Sequence, residues 1–100
     1  MNPKFIVVLI DGKAIMGECE DYTPHGYLIL KNSDFIKLRN PLFLHVEYNR
    51  SLQGSSCHFE HLDCVARPKF ATLKRLVLYC PSDEQVSMYK KYLKDNKYEP

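Results

Sequence analysis

The chain has 100 residues, 45% of them apolar and 12% aromatic, and a net charge of +2. This size and apolar content predict one globular domain, residues 1–100, with a compact core. The longest apolar run has six residues, whereas a membrane span needs about 20, and the start of the chain has no hydrophobic signal segment. We therefore expect a soluble cytoplasmic protein, of a cell or of an infected cell, with no membrane partner.

The charge is unevenly distributed along the chain. Residues 1–66 carry six Lys/Arg and eight Asp/Glu, whereas residues 67–100 carry eight and four. The basic part either contacts nucleic acid phosphates or is a solvated helix face. Four of its cations fall near a predicted helix C-terminus, where the helix dipole attracts positive charge anyway: Lys90, Lys91, Lys94 and Lys97. The four cysteines (Cys19, Cys57, Cys64 and Cys80) include no C-x-x-C pair, which predicts reduced, buried thiols.

Residues 5–31 predict a three-stranded antiparallel meander. An apolar run, residues 5–10, meets Asp11-Gly12, the pair that best accepts the positive φ angles of a type I′ hairpin turn. A second run, residues 13–22, leads through a turn to a third, residues 27–31. In the second strand we expect the face of Ile15, Gly17 and Cys19 to be buried. A glycine such as Gly17 usually marks a bulge, a bend or a close approach of another backbone.

The next strands are predicted over residues 35–38 and 42–48, with a stop at Arg39-Asn40-Pro41, because proline cannot donate a ladder hydrogen bond. Residues 49–56 (NRSLQGSS) have a loop composition. Residues 57–66 then predict a strand in which Cys57 and His61 face one side and His58, Glu60 and Cys64 the other. Since zinc ligands must converge from one side, this alternation predicts no metal site, with core cysteines and surface histidines instead.

Residues 70–80 form the longest remaining strand pattern. Ser82 then begins a capping box with Gln85, and Val86, Tyr89 and Leu93 form an apolar stripe, so we expect a helix over about residues 83–95 that packs on the sheet. Residues 96–100 should fray. The predicted fold is mainly β (α+β): a small, strongly bent antiparallel β-barrel of five to six strands (a meander over residues 4–66) with an additional strand and a C-terminal helix (residues 67–100).

Residues 5–62 resemble the Sm and Sm-like (Hfq-like) family. The match rests on V-x-L-x-D-G-x-x-x-x-G followed by an acidic turn residue and a strand ending in L-x-L, present as Val7, Leu9, Asp11, Gly12, Gly17, Asp21, Leu28 and Leu30. Residues 52–55, leading into the strand at residue 57, are the nearest match to the second signature of the family, with Gln53 where the family commonly has arginine.

The resemblance implies a bent barrel that self-associates through edge strands into a ring and binds single-stranded RNA with two loops. The family's D-x-x-x-N turn would correspond to residues 21–25, where His25 replaces the asparagine. Tyr22 and His25 would stack on bases, with Arg50 or Lys31 near phosphates. The expected nucleic-acid or ligand site therefore comprises Asp21, Tyr22, His25, Arg50, Gln53 and Gly54.

Three classes of function follow. The first is a non-enzymatic Sm-like protein that binds RNA or another nucleic acid. The second is a small viral or phage module that binds a protein or sequesters a small ligand or nucleotide. The third is a metal- or thiol-dependent enzyme. The sequence contains no G-x-S-x-G elbow and no Walker loop, so we predict no enzyme, no catalytic residues and no cofactor.

Overall fold

The computed structural model describes residues 4–19, 35–49, 54–62, 68–74 and 77–98. Within these ranges the chain forms an antiparallel sheet and one C-terminal helix. No helix in the described ranges is long and apolar enough to cross a membrane. The elements in chain order are β1 (Lys4–Ile10), β2 (Lys13–Cys19), β3 (Phe35–Asn49), β4 (Gly54–His61), β5 (Phe70–Lys74), β6 (Val77–Tyr79) and α1 (Asp83–Asp95).

The first hairpin forms as predicted. Ile10 of β1 pairs with Lys13 of β2, so the loop between them contains two residues. Asp11 and Gly12 have φ angles of 50° and 75°, as a type I′ turn requires at both central positions. The third strand of the predicted meander, residues 27–31, lies outside the described residues.

The predicted strand break at Arg39-Asn40-Pro41 is wrong, because β3 runs through it without interruption. Asn40 has a φ of 49°, a conformation that asparagine tolerates, and its amide donates to the Lys69 carbonyl at 2.7 Å. The β2–β3 register shifts between Met16 and Glu18. Residues 39–41 therefore form a bulge inside one long strand.

Gly17 lies in this bulge, and the prediction of a close backbone approach there is confirmed. A β-carbon at position 17 would lie 2.9 Å from both the Arg39 carbonyl oxygen and the Leu38 β-carbon. Only glycine allows β2 and β3 to come so close.

The later strand boundaries differ from the predictions. Residues 54–56, predicted as loop, begin β4, which pairs with the second half of β3. The strand ends at His61 rather than at residue 66. Two strands lie within residues 70–80, β5 over Phe70–Lys74 and β6 over Val77–Tyr79: β5 pairs with the first half of β3, and β6 pairs with β1. A single alternation fails across residues 70–80 because its two parts join different strands.

The predicted barrel is not closed. The strand order is β4-β3-β2-β1-β6, with β5 beside the first half of β3. In the described part of the chain, β4 and β6 are not hydrogen-bonded to each other, so the sheet has two ends. The coarser expectation, a mainly antiparallel β fold with a C-terminal helix, is confirmed.

Apolar side chains are buried on both faces of the sheet. One cluster contains residues from β1, β2 and β3, with partly buried side chains from β5 and β6 added: Ile6, Val8, Ile15, Cys19, Ile36, Leu38, Leu73 and Leu78. The opposite cluster (Val7, Met16, Leu42, Leu44, Phe59 and Tyr89) lies under α1. The prediction that β2 buries the face of Ile15 and Cys19 is confirmed, but Met16 on its other face is buried as well.

The helix forms where the sequence predicts it. The Ser82 Oγ accepts from the Gln85 amide at 3.2 Å, and the Gln85 Oε1 accepts from the Ser82 amide at 3.1 Å. Tyr89 is fully buried against the sheet. The expected fraying is wrong for residues 96–98, because Tyr98 packs against the helix-side cluster and its amide donates to the Leu93 carbonyl.

Candidate functional site

The site predicted from the two loops lies almost entirely outside the described residues. Asp21, Tyr22, His25, Arg50 and Gln53 belong to the ranges that the structure does not describe. Gly54 is described, and it is the first residue of β4, paired with Asn49. The loop site therefore stays a prediction, with Gly54 placed in a strand rather than in a loop.

A different candidate site is formed by β5 and the first half of β3. These strands pair antiparallel, with Phe35 opposite Lys74, Lys37 opposite Thr72 and Arg39 opposite Phe70. Because side chains alternate across a strand, these six residues share one face, which we call the ribbon face. The intervening residues Ile36 and Leu38 point into the core.

The ribbon face combines exposed aromatic rings with cations. Phe35 is 53% and Phe70 38% exposed, so part of each aromatic ring is accessible from solvent. Lys37, Lys74 and Thr72 are also exposed, and Arg39 is half-buried. None of the six residues is acidic, and among the described residues paired with them the one carboxylate is that of Glu18, which pairs with Arg39 from β2. The outer part of the face is therefore apolar and positively charged.

Lys37 and Phe70 are in direct contact across the two strands. The Lys37 Nζ lies 4.2 Å from the centroid of the Phe70 ring, a cation–π distance. Phe35 lies four residues along β3 from the position opposite Phe70, which is about 13 Å along the strand. The two rings thus provide separate stacking positions, with lysine charges beside each of them.

The metal-capable residues of β4 are divided between two faces, as the sequence alternation predicted. His61 faces α1, where its Nδ1 is hydrogen-bonded to the Tyr98 hydroxyl and its Nε2 lies 3.3 Å from the Tyr92 hydroxyl. Both ring nitrogens are occupied by these tyrosines. His58 and Glu60 are exposed on the opposite face, so His58 and His61 do not form one site. Cys64 lies outside the described residues.

The three described cysteines differ in burial. Cys19, Cys57 and Cys80 are thiols outside disulfides, and they are respectively buried, half-buried and exposed, so the prediction of buried thiols is wrong for Cys80. The Cys57 thiol donates to the Met88 sulfur at 3.3 Å. Burial, followed by the Glu84 carboxylate, raises the pKa of the Cys57 thiol. A raised pKa disfavours the thiolate, which is the nucleophilic form.

Sequence reasoning missed the ribbon face although a signal was present. F-x-K-x-R at residues 35–39 and F-x-T-x-K at residues 70–74 repeat an aromatic and polar pattern with a period of two. In addition, residues 67–75 contain four cations and no acidic residue. What the sequence did not show is that these two segments, 35 residues apart, are neighbouring strands.

The ribbon face has the chemistry of a surface that stacks on bases and neutralises phosphates. Comparison with known proteins identifies no relative, since no protein-family model, curated protein or solved structure matches this chain. The candidate site is therefore defined by the geometry of β3 and β5 alone.

Proposed function

We propose that this protein is a non-enzymatic binding protein that binds single-stranded nucleic acid on its ribbon face. The observation that carries the proposal is the pair of exposed phenylalanines, Phe35 and Phe70, set among lysines on one face of two paired strands. Stacking of a base on an aromatic side chain contributes about 1–3 kcal/mol. Exposed lysines add the phosphate contacts that supply most of the non-specific affinity.

The exposed aromatic rings of the ribbon face favour a single strand over a duplex. Stacking requires bases whose faces are accessible, and only unpaired nucleotides offer them. The proposed ligand class agrees with the one implied by the Sm-like resemblance. The surface differs, however, because the family's contacts come from loops and these come from strand faces.

The direct test measures the fluorescence anisotropy of a labelled single-stranded oligouridylate at low and moderate salt. Phe35→Leu removes the ring and should weaken binding by about 5- to 150-fold, the equivalent of 1–3 kcal/mol. Phe35→Trp keeps a stacking surface and should retain the affinity. Equal affinities for the Leu and Trp variants would exclude stacking at this position.

The charge contribution is tested with a matched pair of double variants. Lys37→Ala with Lys74→Ala removes two charges from the ribbon face and should reduce the salt slope of binding by about 1.4, or 0.7 for each phosphate contact. Lys91→Ala with Lys94→Ala removes the same charge from exposed positions of α1 and should leave the slope almost unchanged. The proposal fails if wild type shows no binding at low salt, or if both double variants lose affinity equally.

We also propose that the protein self-associates through strand edges, as the Sm-like resemblance implies. In the described residues β4 and β6 are the two ends of the sheet order, and each pairs with one neighbouring strand there. Unpaired backbone groups at such ends are templates for another strand. Native mass measured by light scattering tests this, and a monomer at high protein concentration would contradict the ring.

A further inference from the structure

A second cluster of side chains lies on β3 and β4, away from the ribbon face. His45 of β3 and His58 of β4 are direct cross-strand partners. Glu60 follows His58 by two residues, so it projects from the same face of β4. From this cluster, we propose that His45, His58 and Glu60 form a binding site for a divalent transition-metal ion of the zinc class.

The distances between the donor atoms fit a single ion. The Nε2 atoms of His45 and His58 lie 3.4 Å and 3.7 Å from the same carboxylate oxygen, Glu60 Oε1. A tetrahedral ion with bonds of about 2.0–2.1 Å separates its ligand atoms by about 3.3 Å. All three donor atoms lie within 4.8 Å of one another. The donor atoms must therefore come closer together, by up to about 1.5 Å, to coordinate one ion.

The rings must turn before they can coordinate. The two imidazoles are stacked, with centroids 4.7 Å apart and an angle of 16° between their planes, whereas a shared ion must lie in the plane of each ring. Side-chain exposures of 44% for His45 and 54% for His58 leave space for rotation about the Cβ–Cγ bonds. The backbone is fixed by the continuous β3–β4 register from Leu42–His61 to Asn49–Gly54.

The donor set selects the class of metal. Two imidazole nitrogens and one carboxylate oxygen suit Zn²⁺, Co²⁺, Ni²⁺ and Cu²⁺, whereas Ca²⁺ and Mg²⁺ prefer oxygen ligands. The three residues also line one cleft of about 800 Å³, together with the exposed side chains of Lys13 and Glu47. Three protein ligands leave a fourth tetrahedral position open to water or to a small anionic ligand within that cleft.

The test is a zinc titration of the full chain by calorimetry, in a Cys80→Ser background that removes the exposed thiol. The Cys80→Ser protein, which serves as wild type for the site, should bind one ion, and addition of Co²⁺ should give the visible absorption bands of a tetrahedral site. His45→Ala and His58→Ala should each weaken zinc binding at least tenfold, since losing an outer-shell partner of a metal ligand alone costs 10–100-fold. Glu60→Gln should weaken it as well.

Glu47→Gln is the matched control for Glu60→Gln, because it removes an exposed carboxylate that lines the same cleft outside the three ligands. It should leave the affinity within about twofold of wild type, a change of only about 0.4 kcal/mol. Circular dichroism shows whether each variant is folded, and NMR shows whether zinc shifts the imidazole signals of His45 and His58. Absence of zinc binding, or wild-type binding by either alanine variant, would overturn the site and leave an ordinary surface cluster of histidines and glutamate.

Discussion

The hydroxyl of Tyr89 donates a hydrogen bond of 2.6 Å to the main-chain carbonyl of Asn40. The same hydroxyl lies 3.2 Å from the carbonyl oxygen of Arg39. Its ring is fully buried, edge-on to Phe5 and Phe59 at centroid distances of 5.6 Å and 5.7 Å. One side chain of α1 thus fixes the bulge of β3, from which the ribbon face begins.

Removing this hydroxyl should destabilise the protein without changing its fold. Tyr89→Phe keeps the ring contacts but takes a buried donor from two carbonyl groups, so we expect a loss of about 1–3 kcal/mol in the free energy of unfolding. Urea denaturation measures it. Tyr89→Leu should lose more, because the edge-on ring contacts also disappear. If Tyr89→Phe is as stable as wild type, the hydrogen bond to Asn40 contributes nothing.

The same tyrosine predicts a loss of stability at alkaline pH. Burial, and then the charges of Glu18 and Tyr98, raise the pKa of the Tyr89 phenol well above its ordinary value, while Arg39 acts in the opposite direction. The folded state therefore favours the neutral phenol. This contribution is fully present below about pH 10, the pKa of an unfolded tyrosine, and is lost above it by up to about 1.4 kcal/mol per pH unit.

Urea denaturation of wild type and Tyr89→Phe between about pH 9 and pH 11 isolates this effect around the ordinary tyrosine pKa of about 10. Burial also raises the pKa values of Cys57 and Tyr79, but both groups are present in the two proteins. The wild-type curve should fall more steeply with pH than the Tyr89→Phe curve. Parallel curves would show that Tyr89 ionises equally easily in the folded and unfolded states.

The capping box of α1 gives a third prediction. Ser82→Ala removes the acceptor for the Gln85 amide and should lower the free energy of unfolding by about 1 kcal/mol. The usual cost of replacing such an N-cap residue by alanine is about 0.5–2 kcal/mol. The control is Ser87→Ala, at an exposed position inside the helix, which should be neutral or slightly stabilising because alanine has the higher helix propensity. Thermal denaturation of the two variants compares them, and equal transition temperatures would contradict a functional cap.

Local signals in the sequence predicted local structure well. Asp11-Gly12 needs only its own backbone angles to form the turn, and Ser82 and Gln85 need only their separation of three positions to cap α1. The strand assignments failed where the outcome depended on distant residues. The Asn40-Pro41 pair forms a bulge and does not end the strand. Gly17 on β2 allows the close approach of β3, and the Lys69 carbonyl accepts a hydrogen bond from the Asn40 amide.

The candidate sites were likewise predictable only where they depend on a single strand. Alternation along β4 correctly separated His58 from His61, since it depends on a single strand. The partner of His58 is His45, which is supplied by the β3–β4 register, and the ribbon face depends on the pairing of Lys37 with Thr72. Neither pairing is encoded in the spacing of residues within one strand.

Gly17 provides the test of the bend itself. Gly17→Ala adds a β-carbon that would lie 2.9 Å from the Arg39 carbonyl oxygen and from the Leu38 β-carbon, so β2 and β3 must separate. We expect a loss of about 1–3 kcal/mol in the free energy of unfolding, as for other overpacked sites. Gly12→Asn is the control, because a β-carbon there would meet nothing within 4 Å and asparagine accepts the positive φ of this turn. Urea denaturation should give a much smaller change for Gly12→Asn. Oligouridylate binding by Gly17→Ala should also weaken, since the bulge sets the direction of the β3 segment that carries Phe35 and Lys37. A stable Gly17→Ala protein would mean that β2 and β3 bend without this close contact.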